Sequence, residues 1–165
     1  MSGRITKAEQ QLQPDPRYGS KQLSRFINCV MLDGRKTSAQ RVVYDAFDEI
    51  KRRLDKETDP NAPKDPLVVF ERAIANVKPR IEVRSKRVGG ANYQVPMQVT
   101  DRRQQSLAFR WILQSCRKEK GRPMHRRLAD ELFAAAKGEG SKALTIREQT
   151  HRMAEANKAF AHFAW

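Results

Sequence analysis

The sequence has few of the motifs by which enzymes and metal sites are recognised. Its three histidines, His125, His151 and His162, lie apart, with no HExxH pair and no cysteine at ligand spacing. It has no Walker-A loop and no dinucleotide-binding fingerprint, so no cofactor and no metal are predicted. His151 and Glu155 stand one helical turn apart, which is more typical of a surface contact than of an acid–base site. An enzyme that cleaves RNA would need a site assembled from distant residues.

Long apolar runs are also missing, and cysteines are few. No run approaches the length of a membrane span, and the first twenty residues lack the apolar segment of a secretory signal. Cys29 and Cys116 both fall in predicted helices among apolar neighbours. We therefore expect packed, reduced thiols rather than a disulfide, as in a cytosolic protein. At 165 residues and 39% hydrophobic, the chain fits one domain with a modest core.

Acidic residues are scarce in two parts of the chain. The whole chain has 33 Lys and Arg against 19 Asp and Glu, a net charge of +14. Residues 78–127 hold fourteen cations and three carboxylates, residues 1–25 hold five and two, and the remainder is balanced. Such a concentration on a neutral scaffold indicates a nucleic-acid surface. A basic membrane-surface segment would instead need one long amphipathic helix, whereas residues 78–127 predict a hairpin, a helix and a loop.

Residues 81–99 predict a β-hairpin. The apolar positions that define its two strands all have odd numbers: Ile81 and Val83 before the glycines, and Tyr93, Val95, Met97 and Val99 after them. If the apolar residues of both strands share a face, paired residue numbers must sum to an even number, as for Val83 with Val95. We therefore predict a three-residue loop, Val88-Gly89-Gly90, with a glycine at positive φ. Taken alone, this pattern would also fit an ordinary surface hairpin. The predicted polar face carries Arg84, Lys86, Asn92, Gln94 and Gln98, with Arg87 near the tip.

The spacing of apolar residues predicts six helices, three before the hairpin and three after it. Ser20 is a predicted N-cap, Asp65-Pro66 predicts the start of the third helix, and Thr145 with Glu148 forms a capping-box pattern for the last. The predicted spans are about 20–32, 37–54, 66–77, 101–118, 123–137 and 145–163, with a proline-rich loop at 55–66. The expected fold is a mainly α, six-helix single domain with a two-stranded β-hairpin protruding between helices three and four.

The N-terminal residues 1–19 are polar, basic and interrupted by Pro14 and Pro16, which predicts an extended basic arm. The helical domain then spans 20–165, with the hairpin at about 80–99. The aromatic strand motif of RRM domains, the GxxG of KH domains and zinc-finger spacing are all absent. The remaining elements suit recognition of a folded RNA by backbone and shape, or an architectural grip on bent DNA.

Five stretches in order along the chain resemble one protein family. They are PDPRYGS at 14–20, NVKPRIEVRS at 76–85, RVGGANYQVP at 87–96, LAFRWI at 107–112 and HRMAEANKAFAHFAW at 151–165. From about Leu12 to its end, the chain closely resembles bacterial small-subunit ribosomal protein seven, universal family seven.

That resemblance implies a helical domain with a protruding β-ribbon and no enzymatic activity. Members of the family are primary binders of small-subunit ribosomal RNA that organise assembly of the subunit head. They lie near the exit-site tRNA and the mRNA exit, and contact a neighbouring protein of the platform, family eleven. In many bacteria they also repress translation of their own message. The implied location is the cytoplasmic small ribosomal subunit, without a membrane, a small-molecule substrate or a cofactor.

The resemblance and the charge distribution together indicate an RNA-binding set in three groups. No catalytic or metal-binding residue is predicted. The alternative is a DNA-architectural protein with the ribbon as a minor-groove arm; such arms end in an apolar wedge, for which Val88 is the only candidate. The predicted RNA-binding residues are Arg4, Lys7, Arg17 and Lys21 in the arm and first helix; Lys78, Arg80, Arg84, Lys86, Arg87, Gly89, Gly90 and Asn92 at the ribbon; and Arg102, Arg103, Arg110 and Arg117 on the fourth helix.

Overall fold

The computed structural model describes residues 11–56, 63 and 65–163, which contain six α-helices, a two-stranded sheet and a short 3-10 helix. This confirms the mainly α fold with a hairpin between the third and fourth helices. The predicted loop at 55–66 lies partly outside the described residues. The elements are α1 (Lys21–Val30), α2 (Lys36–Leu54), α3 (Pro66–Val77), β1 (Ile81–Val88), β2 (Ala91–Gln98), α4 (Asp101–Lys118), α5 (Met124–Lys137), α6 (Lys142–Ala156) and the 3-10 helix (Lys158–Phe163).

Helix starts follow local capping chemistry, and two of the three predicted starts are confirmed. The Ser20 hydroxyl accepts a hydrogen bond from the Leu23 N–H, and the Asp65 carboxylate caps α3 with Pro66 in its first turn. The predicted start of the last helix is wrong. Ser141, not Thr145, is its N-cap, so α6 begins at Lys142. The predicted end is wrong too, because α6 stops at Ala156 and a 3-10 helix follows.

The core lies between the six helices and is centred on four buried phenylalanines. Phe26 lies 5.2 Å from both Phe70 and Phe109 between ring centroids, and Phe47 lies 5.8 Å from Phe70. These distances are typical of favourable aromatic pairs.

The expectation of two packed thiols is half wrong. Both cysteines are free, but Cys116 is buried whereas Cys29 is exposed.

The hairpin register differs from the predicted one by one residue. Val83 pairs with Pro96 and Arg84 with Val95, so paired numbers sum to an odd value. The loop is therefore the two-residue turn Gly89-Gly90, with φ of 57° and 90°. Positive φ at both turn positions is the type I′ geometry, which matches the twist of the flanking strands. The even-sum assumption failed because the apolar residues of the two strands lie on opposite faces.

The ribbon's inner face packs against the end of the chain. This inner face comprises the even-numbered residues of β1 and the odd-numbered residues of β2. Tyr93 lies 5.2 Å from Phe160 and 5.3 Å from Phe163 between ring centroids, and the Lys86 Nζ donates a 2.8 Å hydrogen bond to the Phe163 carbonyl. Phe160 therefore supports the ribbon. We find no helix with the length and hydropathy of a membrane span within the described ranges.

The segment Asp15–Ser20 packs onto α2. Asp15 is only 2% exposed, and its carboxylate accepts hydrogen bonds from the Tyr44 hydroxyl at 2.7 Å and from two backbone N–H groups. Arg17 forms a 2.5 Å ion pair with Asp48. The predicted arm residues 1–10 lie outside the described residues, so the arm itself stays a prediction.

Candidate nucleic-acid interface

A groove rich in arginine runs between helices α1 and α4, and residues of α2 and α5 line its far end. Three adjoining concavities make up its length: the first two share Ser106 and the last two share Arg117. We refer to this surface as the basic groove. Its cations are Arg25, Arg35, Arg102, Arg103, Arg110, Arg117, Lys118 and Arg127.

No Asp or Glu lines the basic groove among the residues that the structure describes. Cations in a concave surface with low-dielectric walls focus a positive potential on whatever enters. An extended anion that follows the groove would therefore meet positive charge along its whole length. This geometry suits the phosphate backbone of a nucleic acid.

Two of these guanidinium groups donate hydrogen bonds to backbone carbonyls, which restrict their positions. Arg117 donates to the Val30 carbonyl at 3.3 Å, near the end of α1. Arg127 donates to the carbonyls of Cys116 and Glu119 at the end of α4. Such contacts satisfy carbonyls that a helix end leaves unpaired. They also fix the positions of the charges that line the groove.

Where the ribbon meets α4, a buried carboxylate joins the two elements. Glu82 on β1 is 7% exposed. Its Oε1 lies 2.6 Å from the Nε and 2.5 Å from the Nη2 of Arg84, and its Oε2 lies 3.1 Å from the Nε of Arg103 on α4. We refer to Glu82, Arg84 and Arg103 together as the Glu82 triad. It places Arg84 beside the groove's end, where Arg103 is a lining residue.

The predicted RNA-binding residues differ in where the structure places them. Those on α4, namely Arg102, Arg103, Arg110 and Arg117, line the basic groove together. The turn glycines, Arg87 and Asn92 are exposed at the ribbon tip, and Lys21 is exposed at the start of α1. Arg4 and Lys7 lie outside the described residues.

The other five predicted residues have other neighbours. Arg17 is paired with Asp48. The backbone N–H of Arg80 donates to His151, and its side chain borders a separate concavity beside α6. Lys78, the C-cap of α3, is half-buried. The predicted polar face is wrong for Lys86, and for Arg84 of the Glu82 triad, because the odd register turns both to the inner face, away from Asn92, Gln94 and Gln98.

Sequence reasoning missed four cations of the groove: Arg25, Arg35, Lys118 and Arg127. The last two belong to the basic segment 78–127, so the charge count contained the signal for them. Arg25 and Arg35 belong to α1 and the start of α2, and only the packing of α1 against α4 brings them to the groove.

Three titratable groups near these surfaces, His151, Cys116 and Cys29, have pKa values shifted toward their neutral forms. Burial, reinforced by Arg147 and Arg80, lowers the pKa of His151, whose Nε2 accepts a hydrogen bond from the Arg80 N–H at 3.2 Å. Burial raises the pKa of Cys116 to about 12, and burial also raises the pKa of Cys29. Both thiols are therefore protonated near pH 7. Within the described ranges, no group of three or more metal-ligating side chains occurs.

A family model described as ribosomal protein S7p/S5e matches residues 2–158. The chain belongs to the ribosomal protein S7p/S5e family. The small ribosomal subunit protein uS7 of Rhodopirellula baltica is 63% identical over 163 residues, covering 99% of each chain. Those of Thermotoga neapolitana and Acidiphilium cryptum are 52% and 47% identical, covering 94% and 100% of each chain. S7p/S5e membership confirms the resemblance found in the sequence, and a structural ribosomal protein family agrees with the prediction that the chain is not an enzyme.

Proposed function

We propose that this chain is a structural component of the cytoplasmic small ribosomal subunit and binds small-subunit ribosomal RNA through its basic groove. The observation that carries the proposal is a groove lined by eight cations and, within the described ranges, by no Asp or Glu. The relatives named above are small ribosomal subunit proteins. Within the subunit we propose the family's role: a primary binder that organises assembly of the head.

The groove reads the RNA backbone rather than its bases. Arginine donates in a planar fork that fits a phosphate, and α4 presents arginines at two-turn intervals through Arg103, Arg110 and Arg117. Base stacking needs an exposed aromatic ring. The only aromatic residue of the ribbon, Tyr93, faces inward against Phe160 and Phe163. Specificity then comes from the shape of the folded RNA.

The ribbon tip supplies a second, narrower contact. Arg87, Gly89, Gly90 and Asn92 are exposed there, and two residues without side chains allow close approach of an RNA strand. We propose that this tip lies near the exit-site tRNA and the mRNA exit, and that the chain also contacts the neighbouring platform protein of family eleven. The DNA-architectural alternative is not retained, because Val88, its wedge candidate, is half-buried on the inner face.

The test compares two triple variants in binding to a fragment of small-subunit ribosomal RNA that forms the head. R103A/R110A/R117A removes three groove cations, and K51A/R52A/R72A removes three exposed cations outside it. We expect the groove variant to lose about 10- to 100-fold in affinity, since each partly exposed charged contact contributes roughly 0.5–1 kcal/mol. The slope of log affinity against log salt should fall by about 0.7–0.9 per lost phosphate contact.

The control triple should lose much less, because its residues do not line the groove. Equal losses in the two triples would mean that the groove is not the binding site. Competition with duplex DNA separates RNA recognition from general attraction to polyanions. Subunit membership has its own test: the endogenous protein should remain with small ribosomal subunits during sedimentation in high salt.

A further inference from the structure

Glu82 is a buried carboxylate in the part of the chain that is otherwise most basic. It is 7% exposed, and the segment 78–127 around it carries fourteen cations and three carboxylates. Removing a carboxylate from water is costly unless it is paired and hydrogen-bonded. Both oxygens of Glu82 are engaged, one by Arg84 and the other by Arg103. The Glu82 triad therefore keeps a net positive charge.

The two arginines of the triad remain available to a ligand on their outer sides. The side chain of Arg103 is 38% exposed and that of Arg84 is 54% exposed. Arg103 contacts the carboxylate through Nε, which carries one of the five N–H donors of a guanidinium. The other four donors are on its terminal nitrogens. Arg103 also lines the end of the basic groove beside Arg25 and Arg102.

We propose that Glu82 is a positioning residue for RNA binding, which holds Arg84 and Arg103 ready for phosphate and fixes the ribbon against α4. This inference rests on the proposed function of the basic groove. Glu82 joins residues of β1 and α4 that are 21 positions apart in the chain. It acts through the two guanidinium groups and does not itself touch the RNA.

Two opposing effects decide whether Glu82 strengthens or weakens RNA binding. Immobilising a long, flexible side chain on binding costs an affinity factor of about two to ten, and the triad removes part of this cost for two side chains. Against this, the Glu82 carboxylate repels a phosphate placed beyond the guanidinium, about 7 Å away. Because Glu82 is buried, the effective dielectric constant is near 20, and that repulsion costs a factor of about five to fifty, depending on screening. The two effects are of similar size; where the ordering of two guanidinium groups is the larger, Glu82 strengthens RNA binding although it is negative.

The variant E82Q tests this sign. It keeps the shape of the side chain and raises the net charge by one. Attraction by net charge alone predicts tighter RNA binding, whereas the positioning role predicts a loss of about three- to tenfold. The matched control is E49Q, which removes a carboxylate paired with Arg52 and Arg53 on α2, outside the groove. We expect E49Q to bind RNA as tightly as the wild type or slightly more tightly.

A double-mutant cycle separates positioning from a general effect on folding. If Glu82 acts through Arg103, the loss caused by E82Q should shrink in the R103A background. An equal loss in both backgrounds, or an affinity of E82Q equal to or above that of E49Q, would overturn the proposal. Should E82Q be unfolded at the assay temperature, E82D takes its place. It keeps the charge but withdraws the carboxylate by one methylene, and wild-type affinity of E82D would overturn the proposal.

The failure of this inference can be told apart from failure of the proposed function. If R103A/R110A/R117A loses affinity and E82Q does not, the groove binds RNA without help from Glu82. If neither variant loses affinity, the groove itself is not the RNA site.

Discussion

Glu131 should contribute more to stability than any exposed carboxylate of the chain, because it caps a helix from inside the protein. Glu131 lies on α5 and is 8% exposed. Its Oε1 accepts hydrogen bonds from the Ser141 hydroxyl at 2.7 Å and from the Ala143 N–H at 2.8 Å. Ser141 in turn accepts from the Leu144 N–H. A carboxylate on α5 thus completes the N-terminus of α6.

The magnitude follows from these contacts. A hydrogen bond to a charged group contributes about 1.5–3 kcal/mol, and a negative charge at a helix N-terminus about 0.3–1 kcal/mol more. For E131A we therefore expect the free energy of unfolding to fall by about 2–4 kcal/mol. In a chain of this length that corresponds to a fall in Tm of roughly 5–15 °C.

The assay is urea unfolding followed by far-UV circular dichroism, with the midpoint and slope compared to the wild type. E148A is the matched control, since the Glu148 side chain on α6 is 57% exposed. It should change the free energy of unfolding by no more than about 0.5 kcal/mol. A loss in E131A no greater than in E148A would refute the capping argument.

Three further predictions concern other contacts. G89V/G90V should disrupt the ribbon tip, because both positions have positive φ, but leave the helical circular dichroism signal unchanged; a lost helical signal would mean that the ribbon supports the core. Y44F should lower the free energy of unfolding in urea by about 1–3 kcal/mol, since it removes a donor from the buried Asp15 carboxylate; an unchanged midpoint would contradict this. The pKa of His151 is lowered in the folded protein, so the neutral imidazole contributes to the free energy of unfolding above pH 6.5, and this contribution is lost as the pH falls from 6.5 toward the folded-state pKa. H151N should therefore reduce the loss of stability over this pH range. Urea unfolding midpoints at several pH values measure this.

Features set by nearby residues could be predicted from the sequence. Ser20 and Asp65 cap their helices through bonds that reach two or three residues along the chain. The basic segment 78–127 likewise contained most of the groove's cations, because α4 and the start of α5 fall within it. For both, a local pattern carried the information.

Features set by partners that are distant in the chain could not be predicted from the sequence. The ribbon register depends on which face of β1 is buried, and the buried Glu82 is paired both with Arg84 of its own strand and with Arg103 from another element. A rule that places apolar residues inside therefore chose the wrong face. The start of α6 was missed although the Ser141 hydroxyl caps it locally, through the Leu144 N–H; what lies outside any local pattern is the bond that Ser141 donates to Glu131 on α5.

The support of the ribbon by the 3-10 helix has a consequence for the order of events during synthesis. The ribosome adds Lys158, the first residue of the 3-10 helix, sixty residues after Gln98, the last residue of the ribbon. At 5–20 residues per second, that delay is about 3–12 s. An isolated two-stranded hairpin is marginal in water, so throughout this interval the nascent ribbon lacks the aromatic contacts of Phe160 and Phe163. The α1 and α4 walls of the groove are already synthesised by then. A growing chain therefore acquires the groove's two walls before it acquires a fixed ribbon.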